Sequence, residues 1–339
     1  MKALVTGANG FLGRHVVAAL LAEGHEVRAL VRPAAQIDEL RWPQSVAVFR
    51  ADLRCAPDLE AAFEGVDVLV HLAAAVSGGD DLRFAATVVG TERLLQAMAR
   101  TTCRRLVLAS SFAVYDVSAT RRTLDEASPL HRIPELYGRD GYTIAKSWQE
   151  RVTRRLAEQH GWDLTVLRPG FIWGRDHSYL AALGQRVGKY HLVIGPLTRM
   201  PLTHVENCAQ LFALAASDPR ARGETFNVVD GRGERIWPFL GHHLRGNGEK
   251  GVRVPVPYWL ALALVRLAYV TIFRSATKVP TVLVPNRLES RLKPLIFTNR
   301  RATEILGWQP RLGFRECLSR TYGPAPLEPA RQEERLSQP

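Results

Sequence analysis

Tyr142 and Lys146 stand four residues apart in the helical stretch Tyr-Thr-Ile-Ala-Lys, at the start of the amphipathic pattern Thr143–His160, so both project from one face. A free phenol titrates near about pH 10, and an adjacent ammonium favours the phenolate and lowers that value, which equips a tyrosine for proton transfer near neutrality. Pairs with this spacing also recur by chance on solvated helices. Their context here is Leu108-Ala109-Ser110-Ser111, an apolar run ending in hydroxyls, and ligand sites of α/β proteins gather at strand carboxyl ends. Ser111, Tyr142 and Lys146 are therefore the candidate catalytic set: a hydroxyl to orient a reacting oxygen, a phenol to exchange its proton, and an amine beside it.

A second constellation opens the chain. Val5-Thr6-Gly7-Ala8-Asn9-Gly10-Phe11-Leu12-Gly13 leads from an apolar segment into a helical pattern closed by Gly24. Glycines at 7, 10 and 13 permit a tight turn, close approach of the backbone to a pyrophosphate, and close helix–strand packing, with the anion on the positive helix N-terminus. The next apolar segment ends in Arg28-Ala29-Leu30-Val31-Arg32-Pro33, where an acid would hold the ribose 2′-hydroxyl of NAD. Arg32 instead offers a planar guanidinium suited to a 2′-phosphate, with Arg14 placed to assist, so NADP is expected in preference to NAD. Asp52-Leu53 follows the third apolar segment, and Asp52 either accepts a hydrogen bond from the adenine amino group or caps a helix.

The elements that must hold these residues read as strands at Ala3–Thr6, Val27–Val31, Val46–Arg50, Val66–His71, Arg105–Ser110 and Leu164–Arg168. Amphipathic stretches Arg14–Glu23, Asp58–Phe63, Thr91–Arg100 and Thr143–His160 lie between them. Strand and helix alternating, with buried Val/Leu strands, predict an α/β chain with a Rossmann-type doubly wound parallel sheet. The alternation weakens from about Gly174. We expect a dinucleotide-binding domain over 1–173 with later strands interleaved near 203–230, a smaller substrate-binding subdomain over 174–322, and a flexible tail over 323–339.

In order and spacing, several motifs together resemble the extended short-chain dehydrogenases/reductases, the NAD-dependent epimerase/dehydratase superfamily, over about residues 1–320. They are Thr6-Gly7-x-x-Gly10-x-x-Gly13, Asp52-Leu53, His71-Leu72-Ala73-Ala74, Ser110-Ser111-x-x-Val114-Tyr115, Tyr142-x-x-x-Lys146 and Arg168-Pro169. Further along come Val205-Glu206-Asn207-Cys208-Ala209, Gly223-Glu224-Thr225-Phe226-Asn227-Val228 and Leu306-Gly307-Trp308-x-Pro310. The resemblance implies that Tyr142 is the general acid/base, that Lys146 depresses its pKa and holds the nicotinamide ribose, and that Ser111 orients the reacting oxygen. It also implies that Phe11, Leu12, Leu72, Ala73, Ala74, Pro169 and Ile172 line the cofactor, that Ser111, Phe112 and Phe171 face the substrate, and that the chain forms a homodimer through the helix bearing Tyr142.

The departures narrow the branch. Dehydratases of the superfamily carry Asp-Glu after the catalytic hydroxyl residue, where this chain has Phe112-Ala113. Epimerases and dehydratases place an Asn three residues after the Arg of Arg168-Pro169, where Phe171 stands, and the usual Asn before Val-x-Gly-Thr is Thr87. The nearer resemblance is to the 3β-hydroxysteroid and sterol dehydrogenase-like branch, and it implies alcohol–ketone interconversion on a sterol-, terpenoid- or lipid-like substrate. A nucleotide-sugar epimerase is the alternative.

Composition limits the rest. With 46% hydrophobic and 23% charged residues the chain is neither disordered nor collagen-like. The net charge is +12, and thirteen Lys or Arg face three acids between 250 and 320, either as a solvated basic surface or as a face for phosphates or an anionic membrane. Aromatic residues are not interleaved with these charges, so no nucleic-acid partner is expected. Trp259–Phe273 is apolar except for Arg266 and Thr271; it is too short to span a bilayer, and reads either as a helix buried in the cap or as a lid at a membrane interface. Four cysteines without metal or disulfide spacing, no metal site, and a strand pattern opening at Lys2 predict a cytoplasmic protein. His204 reads as a capping residue in preference to a catalyst.

Overall fold

A computed structural model describes residues 1–133, 140–178, 180, 182–271 and 285–323. Seven parallel strands form the central sheet: β1 (Lys2–Thr6), β2 (Glu26–Val31), β3 (Ala47–Arg50), β4 (Val68–His71), β5 (Arg105–Ala109), β6 (Asp163–Pro169) and β7 (Thr225–Val228). Their order across the sheet is β7-β6-β5-β4-β1-β2-β3. The order reverses at β1, so the carboxyl ends of β1 and β4 open a crevice at the switch point. The strands are within two residues of their sequence-based bounds. The stretch Asp58–Phe63 is shorter than expected, a single 3₁₀ turn over Glu60–Phe63, and Asp58 caps it by accepting from the Glu60 and Ala61 amides.

Alternating side chains split the core between the two sheet faces. Val5 packs with Val16, Val17 and Leu20 of α1 (Phe11–Ala22) and with Phe212. Leu4, one residue back, packs on the opposite face with Leu94, Leu95, Met98 and Leu156. These last come from α3 (Gly90–Ala99), which continues α2 (Asp80–Phe84) through one wide π turn at Ala85–Val89, and from α4 (Gly141–His160). Asp140 caps α4 by accepting from the Thr143 amide at 3.2 Å, and Gly161 ends it in the left-handed region, φ 62°.

After β6 the chain forms short strand pairs and a third core around Trp173, Phe239 and Leu240. The helix α5 (Val205–Ser217) then returns it to the main sheet through β7. His204 is the N-cap of α5, with a ring nitrogen accepting from the Glu206 amide at 3.4 Å. The helices α6 (Ile236–Gly246) and α7 (Tyr258–Thr271) come next. The nearly uniform apolar sequence of α7 does not bury it all round. Ala261 and Val265 are buried, whereas Trp259, Leu264 and Leu267 are 70%, 56% and 62% exposed. Ile272 and Phe273, and all of the expected tail except Gly323, lie outside the described residues. No helix among the described residues is long and apolar enough to cross a membrane.

Candidate active site

The β1 turn is built from backbone constraints. Gly7 has φ 66°, and a Cβ there would also meet the Ala73 amide nitrogen at 3.0 Å, so the position is closed to other residues on two counts. A Cβ at Gly13 would lie 2.1 Å from the Gly7 carbonyl oxygen. Gly10 caps α1 with no side chain over its first amides, which leaves that helix end open to an anion.

These glycines line one end of a cavity of about 1250 Å³ that runs along the carboxyl edge of the sheet. Phe11 and Leu12 line it beside them, and Arg32, Asp52 and Leu53 line it near the ends of β2 and β3. Leu72, Ala73 and Ala74 follow β4, while Pro169, the last residue of β6, and Ile172 line the wall on that side. Arg14 is the exception. Its guanidinium pairs with Asp176, sits over the Phe11 ring and does not reach the cavity wall. Beside Asp52 the lining also holds Arg54, which sequence reasoning missed although it lies two residues past Asp52. Arg54 grips Asp52 through two nitrogens, Nε to Oδ1 at 3.0 Å and Nη2 to Oδ2 at 2.6 Å. That hydrogen bond, ahead of any other influence, holds the Asp52 carboxyl below its ordinary value. Asp52 starts no helix; it closes a turn by accepting the Arg54 amide at 2.9 Å.

Ser111, Tyr142 and Lys146 all line the same cavity. Ser111 leaves β5 and caps the turn Phe112–Val114, its Oγ accepting the Ala113 amide at 3.1 Å. Its hydroxyl also hydrogen-bonds Tyr142 and pulls the phenol down, but burial is larger and leaves the phenol above its ordinary value. Here the structure departs from the expectation that Lys146 would lower it. The Lys146 amine points elsewhere, donating to the Ala109 carbonyl at 2.7 Å and to Gln149 Oε1 at 2.8 Å. Burial brings the amine down to about 7, against the upward pull of Glu150.

The far end of the cavity is mostly apolar. Phe112 and Phe297 lie with ring centroids 5.9 Å apart, and Leu124, Leu295 and Phe171 line the cavity with them, alongside the polar Ser290, Arg291 and Lys293. Below the site a buried ion pair ties α4 to β6: Glu150 accepts from Arg168 at 2.5 and 3.1 Å and from Ser110 Oγ at 2.5 Å. Arg168 also donates to the Tyr115 hydroxyl, which in turn donates to Asn227 at 2.7 Å. Thr87 accepts the Ala75 amide at 3.0 Å, a contact that steadies the segment after β4. Sequence reasoning did not find Gln149 or Glu150; their spacing of three and four from Lys146 on one helix was the available signal.

A glycine turn at the switch point of a parallel sheet, followed by a serine, tyrosine and lysine on the same crevice, defines a dinucleotide-dependent α/β enzyme. The NAD dependent epimerase/dehydratase family matches residues 3–229, and the chain belongs to that family. The 4-hydroxy-2-methyl-3-oxo-4-farnesyl-3,4-dihydroquinoline-1-oxide ketoreductase of Stigmatella aurantiaca is 32% identical over 274 residues, 79% of this chain and 79% of its own. Mouse (Mus musculus) sterol-4-alpha-carboxylate 3-dehydrogenase, decarboxylating, is 26% identical over 333 residues, 94% of this chain and 90% of its own. Among solved structures, the UDP-glucose 4-epimerase of Thermus thermophilus, in complex with NAD, superposes with a TM-score of 0.70 at 24% identity, covering 95% of this chain and 98% of that one. The chain is thus an oxidoreductase of the dehydrogenase/reductase kind acting on a small molecule.

Proposed function

We propose that this enzyme interconverts a secondary alcohol and a ketone on a largely apolar, sterol-, terpenoid- or lipid-like substrate, with NADP preferred over NAD. The observation that carries the reading is the Ser111–Tyr142 hydroxyl pair facing a cavity end walled by Phe112, Phe171, Leu295 and Phe297. The open end of α1 and Gly7, Gly10 and Gly13 fit a pyrophosphate, and Arg32, exposed on the cavity rim, fits a 2′-phosphate. Bound nicotinamide supplies the hydride chemistry. The chain supplies the proton. In the reducing direction the Tyr142 hydroxyl gives its proton to the developing alkoxide while Ser111 donates a hydrogen bond to the same oxygen; in the oxidising direction the Tyr142 oxygen takes that proton back from the alcohol. The apolar wall excludes water from the reacting carbon.

Tyr142→Phe should lower turnover at least about 100-fold with dinucleotide affinity nearly kept, since only the acid/base group is removed. Unchanged turnover on an alcohol or ketone panel rejects the mechanism. A second reading, a nucleotide-sugar epimerase, is favoured by Arg291 on the rim, a cation for a diphosphate. A UDP-sugar that raises the melting temperature where sterols do not would select it.

The role of 174–322 as the substrate-binding subdomain belongs to the same proposal, supported by Phe171, Leu295 and Phe297 reaching the cavity from or beside it. So does a homodimer, which sedimentation returning monomer alone would refute. Four free cysteines, three of them buried, support a reducing cytoplasm. Peripheral membrane contact is supported by the exposed apolar side of α7.

A further inference from the structure

We propose that Gln149 is a positioning residue for the active site, the end of a buried polar chain Thr6–His71–Thr91–Gln149 that fixes where the Lys146 amine points. The proposal rests on Lys146 belonging to the catalytic set. Thr6, His71, Thr91 and Gln149 are each 0% exposed and Lys146 is 4% exposed, so each polar atom must be answered from within the protein.

Each group finds a partner when the His71 ring proton is placed on Nε2, which also lies 3.3 Å from the Gln149 amide nitrogen. Thr6 Oγ1 accepts the Ala73 amide at 3.2 Å and donates to His71 Nδ1 at 2.7 Å. His71 Nε2 then carries its proton and donates to Thr91 Oγ1 at 2.7 Å, and Thr91 donates to the Thr87 carbonyl. The Gln149 amide nitrogen spends its two protons on Thr91 Oγ1 at 2.9 Å and the Ala73 carbonyl at 3.2 Å. This leaves Gln149 Oε1 as a committed acceptor for Lys146, at 2.8 Å. The amide cannot flip without setting donor against donor. Ala73, on the cavity wall, is held from both sides, its amide by Thr6 and its carbonyl by Gln149.

Two of the amine's hydrogen-bonding directions are thus taken, by Ala109 and Gln149, and the remaining one is left for the cavity that Lys146 lines. A leucine or methionine would fill the Gln149 site and pack; only an amide also orients the amine. The ionisable groups facing Lys146 are Glu150 on α4 and His71 on β4. Burial brings His71 down to about 3, so it stays neutral, and Glu150 is engaged by Arg168.

The test reads Lys146 directly in the full-length protein, by NMR of ¹³Cε-labelled lysine with the resonance assigned through Lys146→Met. Burial sets the expected wild-type midpoint at about 7. In Gln149→Met, loss of one hydrogen bond to the charged form lowers the midpoint by about one unit. In Gln149→Glu, which keeps the acceptor and adds a charge, the midpoint rises by about one unit or more. A role confined to packing would change melting temperature and leave the Gln149→Met midpoint in place, and an unmoved midpoint in either folded variant overturns the proposal. Gln149→Glu is nearly isosteric and keeps the experiment decisive if the methionine variant does not fold. No turnover enters this readout: an inactive alcohol panel refutes the oxidoreductase reading alone, and unmoved midpoints refute the role of Gln149 alone.

Discussion

Replacing Glu150 with Gln removes the carboxylate beneath the active site while keeping its shape. Glu150 is 3% exposed, and it accepts from Arg168, Ser110 and Arg154. Burial by itself would push this carboxyl up; the Arg168 hydrogen bond and charge, with Arg154 and Ser110, outweigh it and bring the group from 4.5 down to about 2. Each unit is worth about 1.4 kcal/mol, so this displacement corresponds to roughly 3 kcal/mol of stability. Leaving one partner of a buried pair uncompensated costs about 3–5 kcal/mol in comparable cases, a figure of the same size.

The unfolding entropy of a 339-residue chain is about 0.7 kcal/mol per degree, so E150Q should melt about 4–7 °C below wild type at pH 7. The pH dependence has a definite sign. The folded-state pKa lies below the unfolded one, so the contribution of Glu150 is fully present above about pH 5 and is lost as pH falls through 4.5 toward 2. The gap between wild type and E150Q should therefore narrow between pH 7 and pH 3, measured by thermal unfolding followed by circular dichroism. A gap under about 1 °C at pH 7, or one that does not narrow on acidification, refutes the reasoning. The double variant Glu150→Leu with Arg168→Met should recover part of the loss, because no buried charge is then left alone.

Three other outcomes follow from the geometry. Gly13→Ala puts a methyl 2.1 Å from the Gly7 carbonyl oxygen, and the 1–3 kcal/mol typical of overpacking should appear as roughly 10-fold or weaker dinucleotide binding in titration calorimetry. Arg32→Ala should weaken NADPH about 10- to 100-fold and leave NADH nearly unchanged, since a hydrogen bond to a charged group is worth about 1.5–3 kcal/mol; equal losses for both would refute the 2′-phosphate role. Trp259→Glu with Leu264→Glu should abolish co-sedimentation with anionic vesicles, and a wild-type protein that does not sediment with them refutes membrane contact.

Much of the site was legible before any coordinates because it rests on local rules. A glycine turn between a strand and a helix specifies its own backbone, a four-residue spacing on a helix specifies a shared face, and the alternation of strands and helices specifies a parallel sheet. What a side chain touches was not legible in the same way. Arg14 was expected at the cofactor and instead pairs with Asp176, 162 residues further along, because a long cation goes to whichever acid the fold brings near. The α7 pattern stated that the helix is apolar on most sides but not whether anything covers it, since periodicity describes a surface and not its neighbour.

The alternation of parallel strands with helices, the glycines and the Tyr142/Lys146 face follow from the order of residues alone. The direction of the Lys146 amine, the Glu150–Arg168 pair and the apolar far wall come from tertiary structure, through contacts between segments distant in the chain. In a buried site the state of a titrating group depends on who surrounds it more than on who precedes it: burial brings Lys146 down to about 7 and holds Tyr142 up.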